Sequence, residues 1–137
     1  MKKNKILIVD DEKDMITVLK KWLEIKGFKV ISAFNGTDAV TLARKQKPDI
    51  IVLDICLPDI DGGEVARELK NYPETENIPI IFLTALLSKD EENKDSHITG
   101  GNIMLAKPYN INEILAVINK QLKMKRSLDN QQAIFLQ

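Results

Sequence analysis

Five short apolar runs recur along the chain, and they predict the strands of a sheet. The first, third and fourth runs are almost continuously apolar and lack the polar alternation of a strand that faces water on one side. We therefore predict strands that are covered on both faces, as in a parallel sheet. The runs are residues 6–9, 28–32, 49–53, 79–83 and 102–105.

Segments with helical spacing separate these runs. Their apolar residues recur at intervals of three and four, which is typical of helices that bury one face. Gly27 follows the first segment where a C-terminal cap belongs, and Asn110 and Glu113 have the spacing of a capping box before the last. The predicted buried stripes are Met15, Val18, Leu19, Trp22 and Leu23; Ala39, Val40, Leu42 and Ala43; Val65, Ala66 and Leu69; and Ile111, Ile114, Leu115, Ile118 and Leu122.

The segment before the last run differs from the other helical segments. From Ser88 to His97 no residue is apolar, and six of the ten positions are charged. Ser88 is a good N-cap residue, but a helix here would bury almost nothing, so we predict a weak helix. Strands that alternate with helices predict an α/β fold with a doubly wound parallel sheet.

Composition narrows the function classes. The chain has 137 residues, of which 44% are hydrophobic and 29% charged, and this favours one globular domain. Twenty basic and twenty acidic residues cancel, which argues against a broadly basic nucleic-acid binder. One cysteine excludes an internal disulfide, and no apolar run approaches the roughly 20 residues that span a bilayer. The basic start is too short for a signal peptide, so we expect a cytoplasmic protein.

Polar side chains follow four of the predicted strands directly. Asp10 and Asp11 follow the first strand, Asp54 the third, Thr84 the fourth and Lys107 the fifth. Ligands of such sheets bind outside the carboxyl ends of the strands, where these side chains converge. An acid after a strand often caps a helix, but the whole set on one edge indicates a site.

The residue types of this set suit phosphoryl transfer. Carboxylate oxygens are the ligands that Mg²⁺ prefers, and a carboxylate can itself act as a nucleophile and form an aspartyl phosphate. A lysine and a hydroxyl can bind the remaining phosphoryl oxygens, where negative charge builds up in the transition state.

Four segments of the chain, in register, resemble the receiver domain of bacterial two-component response regulators. The resemblance covers roughly residues 4–123 and implies a flavodoxin-like fold. That fold has five parallel strands in the order 2-1-3-4-5 and five helices. The segments are ILIVDDE (6–12), VLDICLPDIDG (52–62), LTA (83–85) and AKP (106–108).

The resemblance implies a phosphoacceptor and a metal site. Asp54 would accept the phosphoryl group from a phosphohistidine of a sensor histidine kinase or phosphotransfer protein. Asp11 and Asp54 would ligate Mg²⁺ directly, together with the backbone carbonyl of Cys56. Asp10 would act largely through water.

The resemblance also implies a switch. Thr84 would bond a phosphoryl oxygen and move toward it, and Lys107 would pair with the phosphate, placed by a cis peptide to Pro108. The family usually has an aromatic partner of the threonine three positions before the lysine. Here that switch position is Met104, which has neither a ring nor a hydroxyl.

The resulting hypothesis is a phosphorylation-dependent signalling switch that changes protein binding in a phosphorelay. We expect no enzyme activity beyond its own phosphorylation and dephosphorylation. The other partner would be a downstream protein or output domain, and this domain itself would bind neither nucleic acid nor membrane. The receiver would span residues 1–126, with 127–137 as a helix extension, a disordered end or a truncated linker.

Two versions of this hypothesis and two rival readings are considered at this point. The chain is either a complete single-domain regulator or a receiver excised from a longer response regulator or hybrid kinase. A Mg²⁺-dependent phosphatase of the haloacid-dehalogenase type would need a second aspartate at the position of Cys56 and a substrate cap. A pseudo-receiver that never accepts phosphate is disfavoured by the complete set of acids, threonine and lysine.

Overall fold

Strands and helices alternate along the chain. A computed structural model describes residues 3–85, 98–99, 102–107 and 109–135. In chain order the elements are β1 (Lys5–Val9), α1 (Lys13–Ile25), β2 (Lys29–Ala33), α2 (Gly36–Gln46), β3 (Ile50–Asp54), α3 (Gly62–Leu69), β4 (Ile80–Thr84), β5 (Ile98–Thr99), β6 (Asn102–Ala106) and α4 (Ile111–Phe135).

The strands form one sheet in the order β2-β1-β3-β4-β6-β5. The first five strands of that order run parallel to one another, and β6 is the fifth predicted strand. The predicted five-stranded parallel sheet of order 2-1-3-4-5 is therefore confirmed. The edge strand β5 pairs antiparallel with β6 and was not predicted, because two residues are too short to give a periodic pattern.

The core lies on both faces of the sheet. In β1, Ile6 and Ile8 join the hydrophobic cluster that packs against α1 and α4, while Leu7 and Val9 join the one against α2 and α3. Strands β3 and β4 are buried along their whole length. This explains why these runs are continuously apolar, since alternate side chains enter two different cores.

The predicted buried stripe of α1 is wrong in part. The helix buries Ile16, Leu19 and Leu23 against the sheet, whereas Val18 is 58% exposed and Trp22 is 48% exposed. Apolar residues cover more of the circumference of α1 than the sheet can reach. One apolar face of α1 therefore packs against the sheet, and the neighbouring apolar face stays on the surface.

The predicted stripes of the other helices agree better with the structure. Gly27 ends the first helical segment at a φ of 98°, as its predicted capping role requires. Asn110 caps α4, because its side-chain oxygen accepts the backbone N–H of Glu113 at 2.9 Å. The residues that α2, α3 and α4 bury are Ala39, Val40 and Ala43; Val65, Ala66 and Leu69; and Ile114, Ile118 and Leu122.

Helix α4, the fifth helix of the prediction, is the longest described element. It has 25 residues and continues through the predicted boundary at Arg126 to Phe135, so the described part of the tail extends the helix. The predicted weak helix at 88–97 lies outside the described residues, which contain four helices. Within the described ranges, no helix is both long and apolar enough to span a bilayer.

Gly62 allows the start of α3 to pack directly on the end of β3. Its N–H donates to the carbonyl of Ile55 at 2.8 Å. A Cβ added at Gly62 would lie 2.7 Å from the carbonyl oxygen of Asp54 and 2.9 Å from the Cα of Ile55. Both are backbone atoms of the sheet edge, which cannot move away as a flexible side chain would.

We expect Gly62→Ala to lower the free energy of unfolding by about 2 kcal/mol, the scale of forced overpacking. Denaturant unfolding measures the loss. Gly63→Ala is the matched control, because its Cβ would meet a side-chain atom, the Oδ1 of Asp61 at 3.1 Å. Its effect should stay within about 1 kcal/mol, since alanine favours the helix. Equal losses in the two variants would contradict this account.

Candidate functional site

The carboxyl edge of the sheet brings the predicted site residues together. Asp54 and Thr84 are the last residues of β3 and β4, while Asp10 and Lys107 directly follow β1 and β6. These four strands are consecutive neighbours in the sheet, with β1 beside β3, β3 beside β4, and β4 beside β6. The parallel direction therefore places all four residues on one edge.

Three carboxylates form an acidic cluster at this edge. One carboxylate oxygen from each of Asp10, Asp11 and Asp54 lies within 4.8 Å of the other two. Asp10 is 1% exposed and Asp54 is 5% exposed, whereas Asp11 lies on the surface. Two buried like charges are thus held close together, with the third at their solvent side.

Lys107 balances part of this negative charge. Its ammonium donates to Oδ2 of Asp10 and to Oδ2 of Asp54, both at 3.0 Å, and its side chain is 12% exposed. Burial alone would lower the pKa of Lys107, but the hydrogen bonds and charges of both aspartates outweigh burial and raise that pKa above its usual value. The lysine therefore stays protonated between two acids.

The backbone fixes the second oxygen of both buried aspartates. Oδ1 of Asp10 accepts the N–H of Glu12 at 2.9 Å, and Oδ1 of Asp54 accepts the N–H of Cys56 at 3.1 Å. Each aspartate bonds the backbone two residues further on, as in an Asx turn. Each carboxylate is thus oriented by its own loop on one side and by Lys107 on the other.

The structure describes three of the remaining predicted residues, Thr84, Met104 and Cys56. Thr84 is buried, and its carbonyl accepts the backbone N–H of Lys107 at 2.9 Å. Met104 is half-buried and lies opposite Phe82 in the β4–β6 register. Cys56 is exposed, and Pro108 with its predicted cis peptide lies outside the described residues.

Tyr109 belongs to the surroundings of the site but was not predicted. Burial, together with the negative charge of Asp10, raises the pKa of Tyr109 to about 12, so the phenol stays neutral at ordinary pH. The available signal was its position two residues after Lys107. Helical and strand periodicity say nothing about a residue between two elements.

The donor set fits a hard divalent cation. Three carboxylates against one ammonium leave an excess of negative charge at the carboxyl edge. Carboxylate oxygens are preferred ligands of Mg²⁺, which usually binds through one or two carboxylates and retains several waters. The exposed Asp11 keeps one side of the cluster open for such waters.

Comparisons with known proteins agree with the fold. A family model for the response regulator receiver domain matches residues 6–119. The phosphate regulon transcriptional regulatory protein PhoB of Rhizobium meliloti (strain 1021) is 34% identical over 119 residues, which are 87% of this chain and 52% of that protein. The chain thus spans about half the length of this curated relative.

Solved structures show the same architecture. The receiver domain of the sensor histidine kinase PA1611 from Pseudomonas aeruginosa PAO1 is 32% identical with a TM-score of 0.77, covering 89% of this chain and 99% of that one. That structure has a magnesium ion coordinated in its active-site cleft. A CheY-like receiver protein from Methanospirillum hungatei JF-1 shares the fold with a TM-score of 0.80 at 24% identity, covering 92% and 98% of the two chains.

Removing the ammonium should destabilise the metal-free protein. We expect Lys107→Met to lower the free energy of unfolding by about 3 kcal/mol at pH 7 in EDTA, because Asp10 and Asp54 stay buried without their positively charged partner. Excess Mg²⁺ should shrink this loss by supplying positive charge. Denaturant unfolding with and without Mg²⁺ measures both effects.

Lys5→Met is the control for this experiment. The Lys5 ammonium donates to the backbone carbonyl of Gln46 at 3.0 Å and to its side-chain oxygen at 3.3 Å. The loss should be nearer 1 kcal/mol, typical of uncharged acceptors, and independent of Mg²⁺. A Lys107→Met protein as stable as the wild type in EDTA would show that the ammonium does not hold the cluster together.

Proposed function

The chain belongs to the response regulator receiver domain family, and we propose that Asp54 is the residue through which it is switched by phosphorylation. The observation that carries this proposal is the convergence of Asp10, Asp11, Asp54 and Lys107 on one edge. The proposal includes the phosphoryl donor, a phosphohistidine of a sensor kinase or phosphotransfer protein, and a protein partner whose binding changes.

Asp54 is proposed as the nucleophile because its carboxylate is held in one orientation beside Lys107 and the exposed Asp11. The N–H of Cys56 and the ammonium of Lys107 hold the two oxygens. In the transfer step, a carboxylate oxygen of Asp54 forms a bond to phosphorus while the P–N bond of the donor histidine breaks. The leaving imidazole nitrogen takes up a proton.

Lys107 and Thr84 are proposed to receive the transferred group. The ammonium of Lys107 already lies 3.0 Å from Asp54, so a phosphoryl group there would meet a positive charge without large movement. Thr84 ends the neighbouring strand, and its hydroxyl is proposed to bond a phosphoryl oxygen. With the half-buried Met104 on β6, it forms the proposed switch.

The proposed metal ligands of Mg²⁺ are Asp11, Asp54 and the backbone carbonyl of Cys56. Asp10 is proposed to contact the metal largely through water. A bound Mg²⁺ would supply positive charge that offsets the repulsion between the carboxylates and an incoming phosphoryl group.

We propose no substrate turnover beyond this self-limited cycle. A phosphatase with an aspartyl nucleophile would need a general acid at the position of Cys56, where the chain offers a thiol.

The chain spans about half the length of its curated relative, so control of a downstream protein or output domain is likewise a proposal. The mass of the native gene product distinguishes a single-domain regulator from a receiver within a longer protein.

The α1–α4 groove is the proposed docking surface for the phosphoryl donor. This groove of about 550 Å³ is largely apolar, and its lining includes Met15, Val18, Trp22, Tyr109 and Ile111. Helix α1 starts directly after the loop that carries Asp10 and Asp11, and the charge of Asp10 is felt at Tyr109. A partner helix in this groove would therefore bring its phosphohistidine close to Asp54.

Phosphorylation by a small donor tests the acceptor. Incubation with acetyl phosphate and Mg²⁺ should add one phosphoryl group, seen by intact-mass spectrometry, and Asp54→Ala should abolish the addition. Asp61→Ala is the control in the same loop: it removes the cap on the Glu64 N–H and should leave phosphorylation intact. Phosphate on another residue, or none in the wild type, would refute the assignment.

A charge in the groove tests the docking surface. A purified panel of autophosphorylated kinases first identifies the kinase that phosphorylates the wild type fastest. Val18→Glu should slow phosphoryl transfer from that kinase about tenfold, which corresponds to about 1.4 kcal/mol. The rate with acetyl phosphate should not change, because that donor needs no docking surface. Leu128→Glu introduces the same charge at another exposed apolar position, on α4, and should have no effect. Equal kinase rates for wild type and Val18→Glu would exclude this groove.

A further inference from the structure

Asp59 joins the loop that follows the phosphoacceptor to a different helix. It lies in the β3–α3 loop, residues 55–61, three residues after Cys56. Its carboxylate accepts the N–H of Gly36 at 2.7 Å and the N–H of Thr37 at 2.9 Å. The hydroxyl of Thr37 donates a third hydrogen bond to it at 2.7 Å.

These bonds complete the N-terminal cap of α2. The first N–H groups of a helix have no partner within the helix. Asn35 satisfies the N–H of Asp38 at 2.8 Å, and Asp59 satisfies the two preceding ones. The same hydrogen bonds hold the pKa of Asp59 well below its usual range, so it bonds as a carboxylate across the working pH range.

A second contact joins the same loop to the same helix. A Cβ added at Gly36 would overlap the side chain of Ile60 and come within 2.8 Å of Val65. Ile60 therefore packs against the backbone at the start of α2, next to the hydrogen bonds of Asp59. The middle of the loop is fixed to α2 by polar and apolar contacts together.

This series of contacts ends at Asp54, the proposed phosphoacceptor. Within the loop, the N–H of Cys56 donates to Oδ1 of Asp54 at 3.1 Å. The loop closes on β3 through the N–H of Gly62, which donates to the carbonyl of Ile55 at 2.8 Å. A displacement of the middle of the loop would therefore be transmitted to the carboxylate of Asp54.

We propose that Asp59 is a positioning residue of the phosphorylation site. By tying the β3–α3 loop to α2, it holds the N–H of Cys56 on Asp54 and fixes the loop carbonyl proposed as a metal ligand. Its consequence for phosphorylation rests on the proposed function, whereas its effect on the loop does not. This role is not visible in the pattern of residues, because Asp59 and Gly36 are 23 residues apart.

The test compares Asp59→Ala with Asp59→Asn and Asn35→Ala in the full chain. Asn35→Ala removes a cap from the same end of α2 without touching the loop, so it controls for helix stability. In metal-free protein, Asp59→Ala should increase amide hydrogen exchange at residues 55–62 about tenfold, which is the local opening expected when a tie is lost. Asn35→Ala should leave exchange in this loop unchanged.

Function is read in two ways on the same three variants. Titration calorimetry should show about tenfold weaker Mg²⁺ binding for Asp59→Ala, the usual scale when a residue that orients ligands is removed. At saturating Mg²⁺, its phosphorylation rate with acetyl phosphate should return toward wild type. Asp59→Asn keeps an acceptor oxygen for Gly36 and should stay within about threefold of wild type in both measurements.

Two results would overturn the proposal. One is unchanged loop exchange and Mg²⁺ affinity in Asp59→Ala, and the other is an equal loss in Asn35→Ala. A wild type that binds no Mg²⁺ and accepts no phosphate would refute the proposed function instead. Exchange in the metal-free loop would then still decide whether Asp59 positions it.

Discussion

The burial of two carboxylates at the end of an apolar parallel sheet is the constraint on which the site depends. Asp10 directly follows β1 and Asp54 ends β3, and the side chains of these strands are almost entirely in the core, so neither aspartate can be solvated freely. Lys107 offsets their charge, and it can do so because β6 runs parallel to β1 and β3 and ends on the same edge. The strand order therefore places the positive charge that reduces the repulsion within the acidic cluster.

The sequence was sufficient wherever one local pattern determined the outcome. Continuous apolar runs predicted the strands that are buried on both faces, and the residues directly after them had to meet at one edge. The same reasoning failed for Val18 and Trp22, because a helix with a wide apolar surface does not reveal which part faces the sheet. It also missed β5, which has two residues.

The pattern of apolar and polar residues does not predict contacts between loops that are distant in the sequence. Asp59 reads as a turn residue, and only the folded chain shows that its carboxylate caps a helix that begins 23 residues earlier. In the sequence, Tyr109 likewise looks like an ordinary loop residue, although the fold places it where burial and the negative charge of Asp10 raise its pKa. Periodicity predicts which face of an element is buried, whereas these contacts depend on how loops from separate elements meet.

Hydrogen bonds hold Asp54 from two sides, and each side connects it to other elements of the domain. One side is the β3–α3 loop, which leads through Asp59 to α2. The other is Lys107, whose backbone N–H donates to the carbonyl of Thr84 at the end of β4. A phosphoryl group on Asp54 would replace a shared carboxylate oxygen by a bulkier and more highly charged partner. We expect Lys107 to redistribute its hydrogen bonds between Asp10 and that group, and because its backbone is joined to Thr84, the ends of β4 and β6 are where the change would first be felt.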